Sequence, residues 1–278
     1  MSTGADRRRP DVTRLVWAAG ARHPETPRWL PREARVAFID GAGGDLLCAT
    51  PDGSERTRLA LAPELGFVAP APDGRLLYAS GTTVRCVGSA DALLTVPGDV
   101  ARLRLNDAGF DAAGGLWTGT MDRRGAAPLG ALWRIDAAGR AEAALDGFTI
   151  PNGFALDGAG RTLYVADSPR RIVHALELGG DGRLRTARPF AVGDALCDGF
   201  PDGMTVDAED HLWIAFYDGG CVARYRPDGS LQRRVRLPVP RVTACAFGGA
   251  GLATLFVTAG DGLYAFEPGV PGIAAPAR

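Results

Sequence analysis

Four side chains with oxygen donors, Glu25, Asn106, Asn152 and Asp202, each stand ten or eleven residues ahead of a short strand-like run, beginning respectively at Val36, Leu116, Leu163 and Leu212. Two carboxylates and two side-chain amides, with no nitrogen or sulfur donor, suit one hard divalent cation whose shell is completed by water. Calcium is the first choice, with magnesium, manganese, zinc or iron(II) as alternatives. Each of these residues also has a plainer reading. Asn152-Gly153 and Pro201-Asp202-Gly203 are common turn sequences, Asn106 could cap a turn, Arg104 could pair with Asp107, and Glu25 before Pro27 could be a solvated acid. The spacing argues for the shared role. Asp111, Asp157 and Asp207 each follow their polar residue by five positions and open a second tight turn, and two adjacent hairpins would leave no room for the strand between them.

The elements that must position these residues are strands. Runs of the Leu-Trp or Leu-Tyr kind start at Val36, Leu76, Leu116, Leu163, Leu212 and Leu255, a repeat of 40 to 49 residues. Turn signals separate them, among them Pro-Asp-Gly at 51–53, 72–74, 201–203 and 227–229. No dozen-residue stretch holds a helical apolar period. A repeat of this length predicts an all-β, six-bladed propeller of four-stranded antiparallel blades around a central channel. The propeller is expected over 15–267, after an unstructured arm at 1–14 and before a flexible Pro/Gly/Ala-rich tail at 268–278. The innermost strands line the channel, so equivalent positions in different blades converge there. In the second and sixth blades those positions fall near Gly66 and around Thr243 to Cys245, which leaves the ring open to water or a substrate. His23, Arg104, Ile150 and Phe200 lie two residues before the four donors and share their face.

Composition narrows the chemistry. With 31 basic against 32 acidic residues the net charge is −1, and no field favours nucleic acid or an anionic membrane. All the basic residues are arginine, which excludes Schiff-base chemistry and a phosphate-binding P-loop. Five scattered cysteines read as buried thiols of a reducing compartment. The three histidines, at 23, 174 and 211, support neither a His-rich zinc site nor a Ser-His-Asp triad. The arginine-rich start has no apolar run behind it, so a cytoplasmic protein acting on a small molecule is expected.

Several segments together resemble the SMP-30/gluconolactonase/regucalcin-like group of propellers. They are Pro-Glu-Thr-Pro-Arg-Trp (24–29), Arg-Leu-Asn-Asp (104–107), Trp-Thr-Gly-Thr-Met (117–121), Pro-Asn-Gly-Phe (151–154), Pro-Asp-Gly-Met-Thr-Val-Asp (201–207), Leu-Trp-Ile-Ala (212–215), Gly-Gly-Cys-Val-Ala-Arg (219–224) and Thr-Ala-Cys-Ala-Phe-Gly-Gly (243–249). Their order and spacing, over roughly 20 to 265, carry the resemblance. It implies a divalent metal held by Glu25, Asn152 and Asp202, substrate contacts from Arg104 and Asn106, and hydrolysis of sugar lactones. In that chemistry Asp202 is the candidate general base, and Phe200, Ile150 and Phe148 are candidates for an apolar wall. Some relatives carry a glutamate after Gly-Thr-Met that reaches the sugar. Here the loop reads Asp122-Arg123-Arg124-Gly125, so Asp122 is the candidate substitute or the preferred sugar differs. The strand Val36 to Asp40 also lacks the usual aromatic after its first residue, which leaves the candidate ligands untouched. Two alternatives stay open: a calcium- or ligand-binding propeller without catalysis, and an esterase or phosphotriesterase using the same metal.

Overall fold

A computed structural model describes residues 12–273. Six four-stranded antiparallel sheets follow one another around a ring. Their innermost strands are Pro24–Leu30, Leu65–Pro70, Leu103–Phe110, Pro151–Leu156, Phe200–Val206 and Val242–Gly248. The second strands begin at Arg35, Leu76, Leu116, Thr162, Leu212 and Thr254, each within one residue of the start expected from the repeat. Among the described residues no helix is long and apolar enough to cross a membrane.

Ring packing explains why the second strands read as nearly continuous apolar runs. Alternate side chains of a strand point to opposite faces, and each blade is covered on both faces by its neighbours. Val36 and Phe38 pack toward the sixth blade with Phe256, Leu263 and Ala265. Ala37 and Ile39, between them in sequence, pack toward the second blade with Leu65, Val68 and Tyr78. The core is therefore a set of clusters, one between each pair of blades, and not a single centre.

Both ends of the described segment are held more firmly than composition suggests. Arg14, expected in the unstructured arm, opens the strand Arg14–Trp17, which pairs with Gly262–Phe266 and closes the sixth blade. The rest of that arm, residues 1–11, lies outside the described residues. The tail is likewise pinned along its first part. The Arg233 guanidinium donates to the Pro268 carbonyl at 2.8 Å, Ala208 N–H to Pro271 at 2.9 Å and Gly272 N–H to Leu252 at 3.0 Å. Prolines lack an N–H but keep their carbonyls, and the blades use those of Pro268 and Pro271 here. Residues 274–278 lie outside the described residues.

The aspartates before the second strands form a buried device that repeats. Asp111 accepts from the Trp117 indole at 3.0 Å, from Arg134 Nε at 2.7 Å and from Gly115 N–H at 2.8 Å. Asp207 does the same in the fifth blade, with Trp213 at 2.8 Å, Arg224 Nε at 2.7 Å and His211 N–H at 3.1 Å. Each also closes the tight turn expected of it, through Gly114 N–H to Asp111 O and Asp210 N–H to Asp207 O. In the fourth blade Asp157 closes the same turn, with Tyr164 at the tryptophan's place.

Asp40, at the end of the first blade's second strand, ties down the approach to the channel. Its carboxylate accepts from the N–H groups of Arg22 at 3.0 Å, His23 at 3.0 Å and Gly43 at 2.8 Å. Asp167 caps the fourth blade in the same way, accepting from Thr149 and Ile150 N–H. Burial opposes ionisation of Asp40, but its backbone donors outweigh that cost and hold the carboxyl below its usual range. A lowered folded value stabilises the protein above the unfolded carboxyl's pKa of about 3.9, and that contribution is lost as pH falls through the folded value. The stability gap between the native protein and an Asp40→Asn variant is therefore expected to be fully open at pH 7 and to close below about pH 4, as read by denaturant melts across pH. A gap independent of pH would contradict this role.

Candidate metal and substrate site

All six innermost strands break register with their partners at the same level. The irregularities lie between Glu25 and Arg28, Leu65 and Val68, Leu105 and Ala108, Asn152 and Ala155, Pro201 and Met204, and Val242 and Ala244. A bulge re-aims the residue that carries it, and here it places Glu25, Asn106, Asn152 and Asp202 at one level of the ring. Asn152-Gly153 and Asp202-Gly203 thus lie inside strands, whereas the other Pro-Asp-Gly copies are true turns closed by Gly53, Gly74 and Gly229 N–H. Gly153 sits at φ 57°, and a Cβ there would meet the Asp202 carbonyl at 2.7 Å, so this position takes glycine for conformation and for closeness.

Asn106 and Asn152, the chain's two asparagines, touch. Asn106 Nδ2 donates to Asn152 Oδ1 at 2.7 Å and to the Pro151 carbonyl at 3.1 Å. Asn152 Nδ2 donates to Ser168 Oγ at 3.0 Å, and Ser168 in turn donates to the Pro201 carbonyl at 2.7 Å. This relay runs through the third, fourth and fifth blades. Both Asn106 amide protons are engaged, so its carbonyl oxygen is what it has to offer a ligand, and the Asn152 oxygen keeps one free lone pair.

The carboxylates supply the charge. Glu25 Oε1 lies 2.6 Å from His23 Nε2, and the Glu25 charge, against the cost of burial, raises the His23 pKa. Asp202 is 6% exposed. Burial, with the charges of Glu25 and Asp107 added to it, pushes its pKa well above the usual carboxylate range. Asp107 is itself raised by burial, although Arg28 stands at 3.1 Å and the N–H groups of Ala108 and Gly153 donate to it. The ring therefore gathers three buried or half-buried carboxyls close enough together to raise the pKa of Asp202, an arrangement that a bound cation would relieve. Among the described residues no three His, Cys, Asp or Glu side chains form a metal-ligating group. A cation here would draw on amide carbonyls as well as on Glu25 and Asp202.

The two blades without a donor are filled differently. Gly66 backs onto the third blade, where a Cβ would meet the Leu105 carbonyl at 2.5 Å. Thr243 turns its hydroxyl to the carbonyls of Pro24 and Thr258. Arg104 is half-buried and donates to the Leu105 carbonyl at 3.1 Å. Its pKa is lowered by burial, against the opposing charges of Glu25 and Glu64. The partner of Asp107 is Arg28 and not Arg104, and Arg104 lies within charge range of Glu25 and His23.

Other candidates stand further back. The Asp122 carboxylate holds its own loop, accepting from Ala126 and Ala127 N–H at 3.4 Å. Phe148 is buried between the third and fourth blades with Trp117 and Leu163, so it backs the wall without forming it. Phe200 is 40% exposed at the rim, paired across the sheet with Tyr217. Tyr217, Arg241, Ser168 and the Asp107–Arg28 pair were not singled out from sequence as members of the site. Arg28 and Asp107 left traces, inside Pro-Glu-Thr-Pro-Arg-Trp and Arg-Leu-Asn-Asp, but not as a pair.

Known proteins carry the same arrangement of sequence. Residues 23–261 match the SMP-30/gluconolactonase/LRE-like region. A pentonolactonase of Haloferax volcanii is 32% identical over 252 residues, which span 90% of this chain and 86% of that protein. A 6-deoxy-6-sulfogluconolactonase of Pseudomonas putida is 32% identical over 246 residues, 84% of this chain and 82% of that one. A solved structure of the calcium-binding protein regucalcin from Agrobacterium tumefaciens shares the fold, with a TM-score of 0.86 at 24% identity over 96% of this chain and 97% of that one. With a family match over most of its length and relatives this similar, the chain belongs to the SMP-30/gluconolactonase/LRE-like family.

Proposed function

We propose that this protein is a divalent-metal-dependent hydrolase that opens a sugar lactone, of the gluconolactonase or aldonolactonase type. The observation that carries the reading is Asp202, a buried carboxyl among oxygen donors, whose pKa is raised by burial and by the nearby charges of Glu25 and Asp107, so that positive charge beside it would favour its ionised form. The names of the pentonolactonase and sulfogluconolactonase relatives support the choice of substrate.

Glu25, Asn152 and Asp202 would hold the cation, and their hard oxygens favour calcium. When bound, such an ion supplies Lewis acidity toward the lactone carbonyl and charge for the oxyanion. Asp202 takes the proton of the attacking water and returns it to the ring oxygen that leaves, so the carboxylate is regenerated. Arg104 donates to ring hydroxyls, and Asn106 accepts from one through its free carbonyl. Ser168 and Asn106 fix the Asn152 amide between them, which keeps its oxygen turned to the ring. Phe200 and Ile150 border the site on its apolar side.

Proton release from a panel of sugar lactones, measured beside an aryl ester and a phosphotriester, tests this. The expected result is a kcat/KM on at least one lactone about tenfold or more above either other substrate. An aryl ester preferred over every lactone would point to the esterase alternative. Stoichiometric cation binding with no turnover would leave a binding propeller.

A further inference from the structure

Tyr217, the last residue of the strand Leu212–Tyr217, forms one wall above the ring. Its ring meets that of His23 edge-on with centroids 6.1 Å apart, and His23 is in turn bonded to Glu25. The guanidinium of Arg241 lies over the other part of this wall, 5.9 Å from the Tyr217 centroid. Arg241, Tyr217, His23 and Glu25 thus make a continuous path from the rim to the candidate ligands, with contributions from the sixth, fifth and first blades.

Arg241 is held there by a stiff loop. It ends the segment Pro238-Val239-Pro240-Arg241, whose two prolines fix their own φ and restrict the residue before each. The loop is pinned by Gly220 N–H to the Pro240 carbonyl at 2.9 Å and by Gly260 N–H to the Arg241 carbonyl at 2.8 Å. Other arginines in the connecting turns are spent on the protein itself. Arg22 donates to Ala42, Arg123 to Glu64 and Val100, and Arg171 to the carbonyls of Gly193, Cys197 and Gly199. Among the described residues no hydrogen bond or ion pair joins a carboxylate or carbonyl to the Arg241 guanidinium, which lies over the Tyr217 ring. Arg104 approaches from the third blade, opposite the sixth in a six-membered ring, and it too lacks a carboxylate bond.

A guanidinium stacked on an aromatic ring keeps its fork of donors in one plane, ready for a two-pronged bond to an anion. A neutral sugar lactone would leave that fork unused. We propose that the substrate is a sugar lactone bearing an anionic group away from its carbonyl, and that Arg241, aimed by Tyr217, binds that group. The proposal rests on the lactonase reading and narrows it to acidic lactones. The solvated alternative, a surface arginine lying on a tyrosine, predicts no substrate preference.

The test uses the full chain with divalent metal and compares kcat/KM for gluconolactone with that for a glucarolactone, which adds a carboxylate, and for 6-phosphogluconolactone, which adds a phosphate. The native protein is expected to favour one anionic lactone by about tenfold or more, and the favoured arm identifies the anion. In Arg241→Gln the ratio of anionic to neutral kcat/KM falls by about that factor, mainly through KM, with Arg241→Lys intermediate and Tyr217→Leu lowering the same ratio. Raising the salt also lowers the native preference, because a partly exposed pair is screened. A native protein without preference, or a ratio unmoved in Arg241→Gln, overturns the proposal. If no lactone is opened, the lactonase reading fails by itself, and calorimetry with glucarate and gluconate still decides: tighter glucarate binding that Arg241→Gln abolishes supports the anion site, and equal binding sinks it.

Discussion

An Asp202→Asn variant loses about two to four orders of magnitude in kcat/KM on its best lactone while remaining folded. The side chain keeps its shape and its buried place, but asparagine cannot take a proton from water, and a cation held as proposed would lose one of its two charged ligands. The same change relieves the crowding by Glu25 and Asp107 that drives the Asp202 pKa upward. In chelator the variant is therefore expected to melt at or above the temperature of the native protein, because a neutral amide costs less to bury than a carboxyl whose ionised form is penalised by burial and by its neighbours' charges. Activity and stability should move in opposite directions. Kinetics and a thermal melt on the same preparation check both, and activity within about tenfold of native would remove Asp202 from the role of base.

The largest stability effect is expected from Asp207→Ala. Asp207 is fully buried and satisfies the Trp213 indole, the Arg224 guanidinium and two backbone N–H groups at once. Its removal strands Arg224, which is 4% exposed and keeps only Glu209 as a charged partner. Breaking a buried pair from one side costs about 3 to 5 kcal/mol, or roughly 10 °C in Tm for a domain of this size. Adding Arg224→Met to the alanine variant removes the stranded charge and should recover part of the loss. A double variant as unstable as the sum of the two single ones would contradict the coupling.

The propeller was legible because every blade states it locally. The second strands alternate toward two neighbours, as Val36 and Phe38 do against Ala37 and Ile39, so each reads as a short apolar run between turns. The shared register of the four polar residues was legible for a related reason. A bulge at the same level of each innermost strand keeps Glu25, Asn106, Asn152 and Asp202 in one register with the runs that follow. Asn152-Gly153 and Asp202-Gly203 use the conformational licence of turn sequences inside a strand, which is why they also read as turns.

What escaped the sequence depends on ring closure. Arg28 and Asp107 lie 79 residues apart and meet only because the first and third blades face one channel. Tyr217 and Arg241 belong to a strand end and a loop, outside any repeat signal, and become neighbours only when the fifth and sixth blades pack. The same closure recruits Arg14–Trp17 into the last blade, so a segment with no turn or alternation of its own becomes a strand through a partner at the far end of the chain.

Metal dependence is the central claim, and removing the metal tests it most directly. Protein stripped with chelator and dialysed free of it is assayed on the best lactone, then again after stoichiometric addition of each divalent ion in turn. Activity is expected to fall by at least about two orders of magnitude and to return with one equivalent of a hard cation, calcium foremost, in the native protein but not in Asp202→Asn. Full lactone turnover by the stripped protein would contradict the account.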